Sequence, residues 1–157
     1  MVDETFHPSQ VAAAIAAKAP PSGLTICGPA KLVAAPAMAQ LPLMQPAPGF
    51  IGAINAQRDS YSAGLGGQET IDYTLVWRVL VAEVGQGLGL AEHYEGMVQL
   101  VSALYKFFRE HHAISFEGGV AVDVVMGTVS AFGVVPAPND VQFFGFDVGV
   151  QIKELIN

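Results

Sequence analysis

The sequence predicts an α+β fold: a largely antiparallel β-sheet, or sheets, packed against two helices, with a long Gly-rich loop. Three observations lead there. In residues 141–157, Phe144, Phe146, Val148, Val150 and Ile152 alternate with Phe143, Gly145, Asp147, Gly149, Gln151 and Lys153. That period of two is a strand lying on a core. In residues 91–112, Met97, Leu100, Val101, Leu104, Phe107 and Phe108 recur at helical spacing and form one apolar stripe. Most links between strand-like runs are too short for a parallel crossover, so neighbours pair antiparallel and the helices cover a face.

The elements follow in order. Residues 8–19 read as a helix. Pro8 suits its first turn, where the missing N–H has no partner to lose, and Ser9 or His7 could cap it. Val11, Ile15 and a run of alanines follow, and Pro20, Pro21, Ser22 and Gly23 stop it. With few large apolar side chains, this helix is expected to lie on the surface of something else. Residues 24–35 read as one or two strands interrupted at Gly28 and Pro29.

Residues 36–49 hold Pro36, Pro42, Pro46 and Pro48. Proline cannot donate to a ladder, so this is a sheet edge or a loop. It carries Met38, Leu41, Leu43 and Met44, either packed on the core or used as a contact arm, because Met side chains adapt to partners. Residues 50–71, rich in Gly, Ser, Asn and Gln, read as a long loop, with Arg58, Asp59 and Tyr61 ahead of its glycine run at 63–67.

Residues 72–84 are the clearest interior strand. Tyr73, Leu75, Trp77, Val79 and Val81 share one face, and Thr74, Val76, Arg78, Leu80 and Ala82 the other. Bulk on both faces predicts a central position. In the second helix, Glu92 and Glu95 sit early and Lys106, Arg109, His111 and His112 late, which complements the helix dipole. Residues 113–136 are strand-like, with Gly118, Gly119 and Gly127 marking turns or bulges. The turn at 136–140 then joins the last two strands as a hairpin with a loop of about five residues.

Composition bounds the function. A chain of 157 residues fits one domain, spanning 1–157, and buries roughly 68–70% of its unfolded surface. Apolar residues make up 52% and charged residues only 13%, against about 25% charged in typical domains. Part of the apolar excess is Ala; the rest favours an oligomer. Fourteen acidic and 7 basic residues leave a net charge of −7. Scattered singly, those cations form no phosphate-neutralising cluster, which excludes a sequence-independent nucleic-acid binder.

Cys27 is the only cysteine, so no intrachain disulfide forms, and its neighbours Leu24, Thr25 and Ile26 mark a small buried side chain. Residues 1–7 contain Asp3 and Glu4 and lack the basic and apolar parts of a signal peptide. No apolar run is long enough for a transmembrane helix. The regular final strand reads as the end of a complete building block, made in a reducing cytoplasm.

No cluster points to catalysis, a cofactor or a metal. Gly85, Gly87 and Gly89 follow a strand and precede a helix, but Leu90 stands where a dinucleotide fingerprint needs its third glycine. His111 and His112 are adjacent, whereas metal pairs on a helix need i, i+4 spacing. Asp123 and Asp147 could face each other across the terminal sheet, alongside Glu117 and Asp140 on turns. An enzyme would have to use Asp123, Asp147 or a histidine, and no G-x-S-x-G nucleophile motif occurs. A small-ligand or protein-binding module would use Tyr73, Trp77 and Tyr105 as a pocket.

As a whole the sequence resembles the tail terminator proteins of long-tailed bacteriophages. The Ala-rich helix at 8–19, the strand at 73–84 after a Gly-rich loop, the helix at 92–110 and the closing strand at 144–152 carry the resemblance. The chain then ends in Lys153-Glu154-Leu155-Ile156-Asn157. The Pro-rich stretch at 36–48 departs from the pattern. The resemblance implies a structural virion protein of the tail or neck, assembled in the host cytoplasm into a homo-oligomeric ring, typically a hexamer. Such a ring caps the tail tube, stops its growth and joins it to the head–neck connector, with DNA passing through its channel and no membrane partner. A head-completion or stopper protein of the neck is the nearest variant. On this reading Arg58, Asp59 and Tyr61, with Met38 and Met44 on the apolar arm, are the interface residues.

Overall fold

A computed structural model describes residues 7–21, 23–26, 41–58, 69–85, 89–115, 121–136 and 141–156. The elements run α1 (Pro8–Ala16), β1 (Thr25–Ile26), β2 (Leu43–Arg58), β3 (Glu69–Glu83), α2 (Leu90–Glu110), β4 (Ala113–Ser115), β5 (Ala121–Pro136) and β6 (Gln142–Ile156). Among the described residues the strands form one curled sheet in the order β1-β2-β3-β6-β5-β4. Every pairing is antiparallel except the short parallel contact of β1 with β2. The expected α+β class, a mostly antiparallel sheet against two helices, is what the chain adopts.

The predicted alternations set the layers. Tyr73, Leu75, Trp77 and Val79 of β3 are at most 2% exposed, and so are Phe146, Val148, Val150 and Ile152 of β6. They face the helices. Met97, Leu104, Phe107 and Phe108 of α2 close over them, together with Val11, Ala12 and Ile15 of α1. Helix α1 therefore packs on its own sheet rather than on another surface; small alanines let its backbone come close. His7 is its N-cap without a side-chain capping bond, and Pro8 opens it as expected. The final strand β6 is central, between β3 and β5, and pairs with β5 as the predicted hairpin.

Two sequence expectations are corrected. Residues 50–58, read as the start of a loop, continue β2, although Pro46, Pro48, Gly49 and Gly52 lie along it. The strand tolerates them because beyond Met44 no strand pairs with its outer edge among the described residues, so a missing N–H breaks no ladder there. It absorbs the excess length in bulges. Five steps from Pro46 to Ile51 oppose two from Trp77 to Leu75, and three from Ile51 to Ile54 oppose two from Leu75 to Tyr73. The second concerns Met44, read either as packed on the core or as an interface residue on a contact arm: it is 0% exposed opposite Val79, which decides for the core. Met38, Cys27, Asp59, Tyr61, Glu117, Asp140 and the glycine run at 63–67 lie outside the described residues.

Bulges also shape β5. Register shifts fall between Met126 and Thr128, at the predicted Gly127, and between Ser130 and Gly133. The second holds Ala131 at φ 53° and Gly133 at φ 145°, and the extra residue re-aims Phe132. Its ring stacks on Phe146 at 5.7 Å and meets Tyr94 of α2 edge-on at 5.5 Å.

Candidate functional site

Among the described residues the sheet presents one face to the helices and leaves most of the other bare. Across that bare face, pairing aligns Asn55, Asp72, Lys153 and Asp123 in one row. With Thr74 and Gln151 they line a shallow hollow of about 440 Å³. Further along, Arg78 grips Asp147 with two bonds, Nε to Oδ1 at 2.8 Å and Nη2 to Oδ2 at 3.1 Å, and Nη1 donates to the Pro136 carbonyl at 3.0 Å. These side chains are 16% and 15% exposed, so the pair is partly dry and ties β3, β6 and β5 together. Near that end Leu80, Val135 and Phe143 form a second small core with Leu41 and Val141.

This geometry separates the carboxylates considered for catalysis. Asp123 lies opposite Lys153 and Asp147 opposite Ser130. The six residue steps along β6 between those rows span about 20 Å, so the expected meeting of Asp123 and Asp147 does not occur. His111 packs on Phe107 at 4.8 Å, and His112 Nδ1 lies 3.1 Å from the Arg109 carbonyl oxygen. Among the described residues no three His, Cys, Asp or Glu side chains gather as metal ligands. Nor do Tyr73, Trp77 and Tyr105 form a pocket: the first two are 2% and 0% exposed in the core, while Tyr105 is 56% exposed on α2. Phe50 packs edge-on against Trp77 at 5.0 Å.

A buried polar knot secures α1. Glu154 is 0% exposed. The Tyr73 hydroxyl donates to Glu154 Oε2 at 2.7 Å and the His7 backbone N–H to the same atom at 2.9 Å, while His7 Nδ1 lies 3.1 Å from Oε1. Burial first, then the bond to Glu154 and that carboxylate's charge, push the Tyr73 phenol well above its ordinary value.

The exposed apolar side chains are not scattered. Of the eleven large ones among the described residues, Leu90, Tyr94, Val98 and Tyr105 lie on α2 and Val125, Val129, Phe132 and Val134 on β5. Ile51 and Ile54 lie on β2, at the opposite margin of the sheet, and only Leu155 lies elsewhere. The edge strands at both margins are also uncharged over long stretches. Residues 43–57 and 124–136 contain no Asp, Glu, Lys or Arg, although edge strands of free monomers are usually guarded by charge. β4 pairs only with Ala121, Val122 and Asp123 of β5, and the Val124 N–H donates to the His112 carbonyl oxygen at 2.8 Å; beyond Val124 no strand pairs with that edge among the described residues.

Of the residues expected at an interface, Met44 and Arg58 are described, and Met44 lies in the core. Arg58 ends β2, its side chain is 67% exposed, and its Nη2 lies 3.5 Å from Glu69 Oε2. The α2–β5 surface was missed by sequence reasoning. A second stripe on α2, Tyr94, Val98 and Tyr105, was its available signal, at steps of four and seven residues. No helix among the described residues is long and apolar enough to cross a membrane. Comparison with protein-family models, with curated proteins and with solved structures gives no match.

Proposed function

We propose that this chain is the ring-forming tail terminator subunit of a long-tailed bacteriophage. It caps the tail tube and joins it to the head–neck connector around a channel for DNA. The observation that carries the reading is the concentration of exposed apolar side chains along the two opposite margins of one sheet, where the edge strands β2 and β5 carry no charge over residues 43–57 and 124–136. Two different sticky margins on one molecule make a head-to-tail contact, and such contacts generate rings when the rotation closes.

The bare face supports the same reading. Once both margins are taken by neighbours and one face by helices, this face is left for the channel. Asp72, Asp123 and Asp147 are interspersed with Lys153 and Arg78 among Thr74, Thr128, Ser130 and Gln151. A wall of this kind offers phosphates no cationic cluster to stick to. In the overall charge of −7 the channel has a weak repulsion that keeps DNA sliding.

The test is native mass over a concentration series, alone and with tail tubes of the phage that encodes the chain, followed by electron microscopy of the tubes. A discrete ring seated on one tube end, with growth arrested, is the expected result. A chain that stays monomeric at every concentration and leaves tubes uncapped would overturn the proposal. A ring that binds the neck connector but not the tube would move the assignment to the stopper position.

A further inference from the structure

The two margins fit one another in detail. Between α2 and β5 lies an apolar hollow of about 370 Å³, framed by Tyr105, Phe108, Val124 and Met126 with Arg109 and His112 at its rim. At the other margin the bulges of β2 leave Ile51 and Ile54 standing out, 41% and 49% exposed. Both features sit on the helix side of the sheet. Ile54 pairs with Tyr73 and Ile51 with Leu75, core-facing residues, and partners directly across strands share a face. Val124 and Met126 pair with Ile152 and Val150, which also face the core.

They also sit at the same height. One row runs Ile54, Tyr73, Ile152, Val124, and the next but one runs Ile51, Leu75, Val150, Met126. Rotation about an axis along the strands preserves height, so it carries Ile51 and Ile54 of one copy to the level of Met126 and Val124 of the next. The strand count agrees. β2, β3, β6 and β5 alternate in direction, so the β5 of one copy meets the β2 of the next antiparallel. Bulges on both edges disfavour a continuous backbone ladder, which leaves side chains to make the contact.

Resting on the ring reading above, we infer that the occupant of this hollow is a second copy of the chain. Ile51 and Ile54 of its β2 seat between α2 and β5 of the neighbour, a heterologous contact repeated around the ring. The uncharged runs on both margins are the sequence trace of that contact: each edge is covered in the assembly, so neither carries a guarding charge.

The experiment is thiol crosslinking with a short bis-maleimide in a Cys27→Ser background, on tubes if the ring needs them. Ile54→Cys and Tyr105→Cys replace half-exposed side chains, and unchanged Trp77 emission checks folding. Each single variant should remain one chain under denaturing conditions. An equimolar mixture of the two should give a two-chain product and nothing larger. The double variant Ile54→Cys/Tyr105→Cys should give a ladder ending at the subunit number of the ring. A native ring with no two-chain product from the mixture overturns the inference while leaving the ring reading intact. Crosslinking within a single variant overturns it too, because that marks a two-fold contact. A chain that never assembles, even on tubes, overturns both.

Discussion

At Gly145, at the scale of one residue, a Cβ would run into the Val79 carbonyl oxygen of the paired strand, which is backbone and has no way to yield. The approach of β6 to β3 depends on that missing atom. Gly145→Ala should cost about 2–3 kcal/mol, the upper part of the range of about 1–3 kcal/mol for overpacking a dense interior, measured by urea unfolding. Tyr73 gives a second prediction. Its phenol titrates higher in the folded chain than at its ordinary value of 10.0, so the unfolded state releases the proton first as pH rises. Its contribution is fully present below pH 10 and declines above it, toward the folded value. Unfolding midpoints should fall in alkali, and Tyr73→Phe should flatten that fall. The same substitution should lower stability at neutral pH by about 1–3 kcal/mol, because Glu154 stays buried with one donor fewer. The alternation around Gly145 was plain in the sequence, but the partner that requires a glycine was not, since Val79 lies 66 positions away.

Among the elements, α2 carries two stripes with opposite duties. Met97, Leu104, Phe107 and Phe108 are buried, while Tyr94, Val98 and Tyr105 are exposed. Leu104→Ala should cost about 2–5 kcal/mol in thermal or chemical unfolding of the subunit. Val98→Ser should change subunit stability by no more than about 0.5 kcal/mol but weaken assembly, seen as a shift in the concentration dependence of native mass. Equal effects on both properties would remove the distinction between the stripes. The helix and its inner stripe were legible because a 3.6-residue period is a local property. The course of β2 was not: Pro46, Pro48 and Gly49 argue locally for a loop, and only pairing with β3 holds that stretch extended.

For the whole molecule the consequence is electrostatic. A channel wall lined by the bare face should let DNA pass without holding it. Asp72→Lys/Asp123→Lys adds a cationic row beside Lys153. Its rings should still form, but should retain duplex DNA in filter binding at low salt and release it as salt rises. Rings that gain no DNA affinity would argue that the bare face points elsewhere. Charge reversal at Arg58, which ends the β2 margin, should weaken assembly; an unchanged ring would remove Arg58 from the interface.

Local pattern was enough to specify both helices, the strands β3, β5 and β6, the apolar faces of α2, β3 and β6, the hairpin of β5 and β6, and the shortage of charge. These follow from side-chain period and composition, which a single segment carries whole. Tertiary structure alone decided that β6 sits between β3 and β5, that Met44 is core and Asp123 and Asp147 lie far apart, and that Ile54 and Tyr105 end at opposite margins. Each of those facts is a relation between segments distant in sequence, set by register and bulges along long pairings rather than by the residues of either segment.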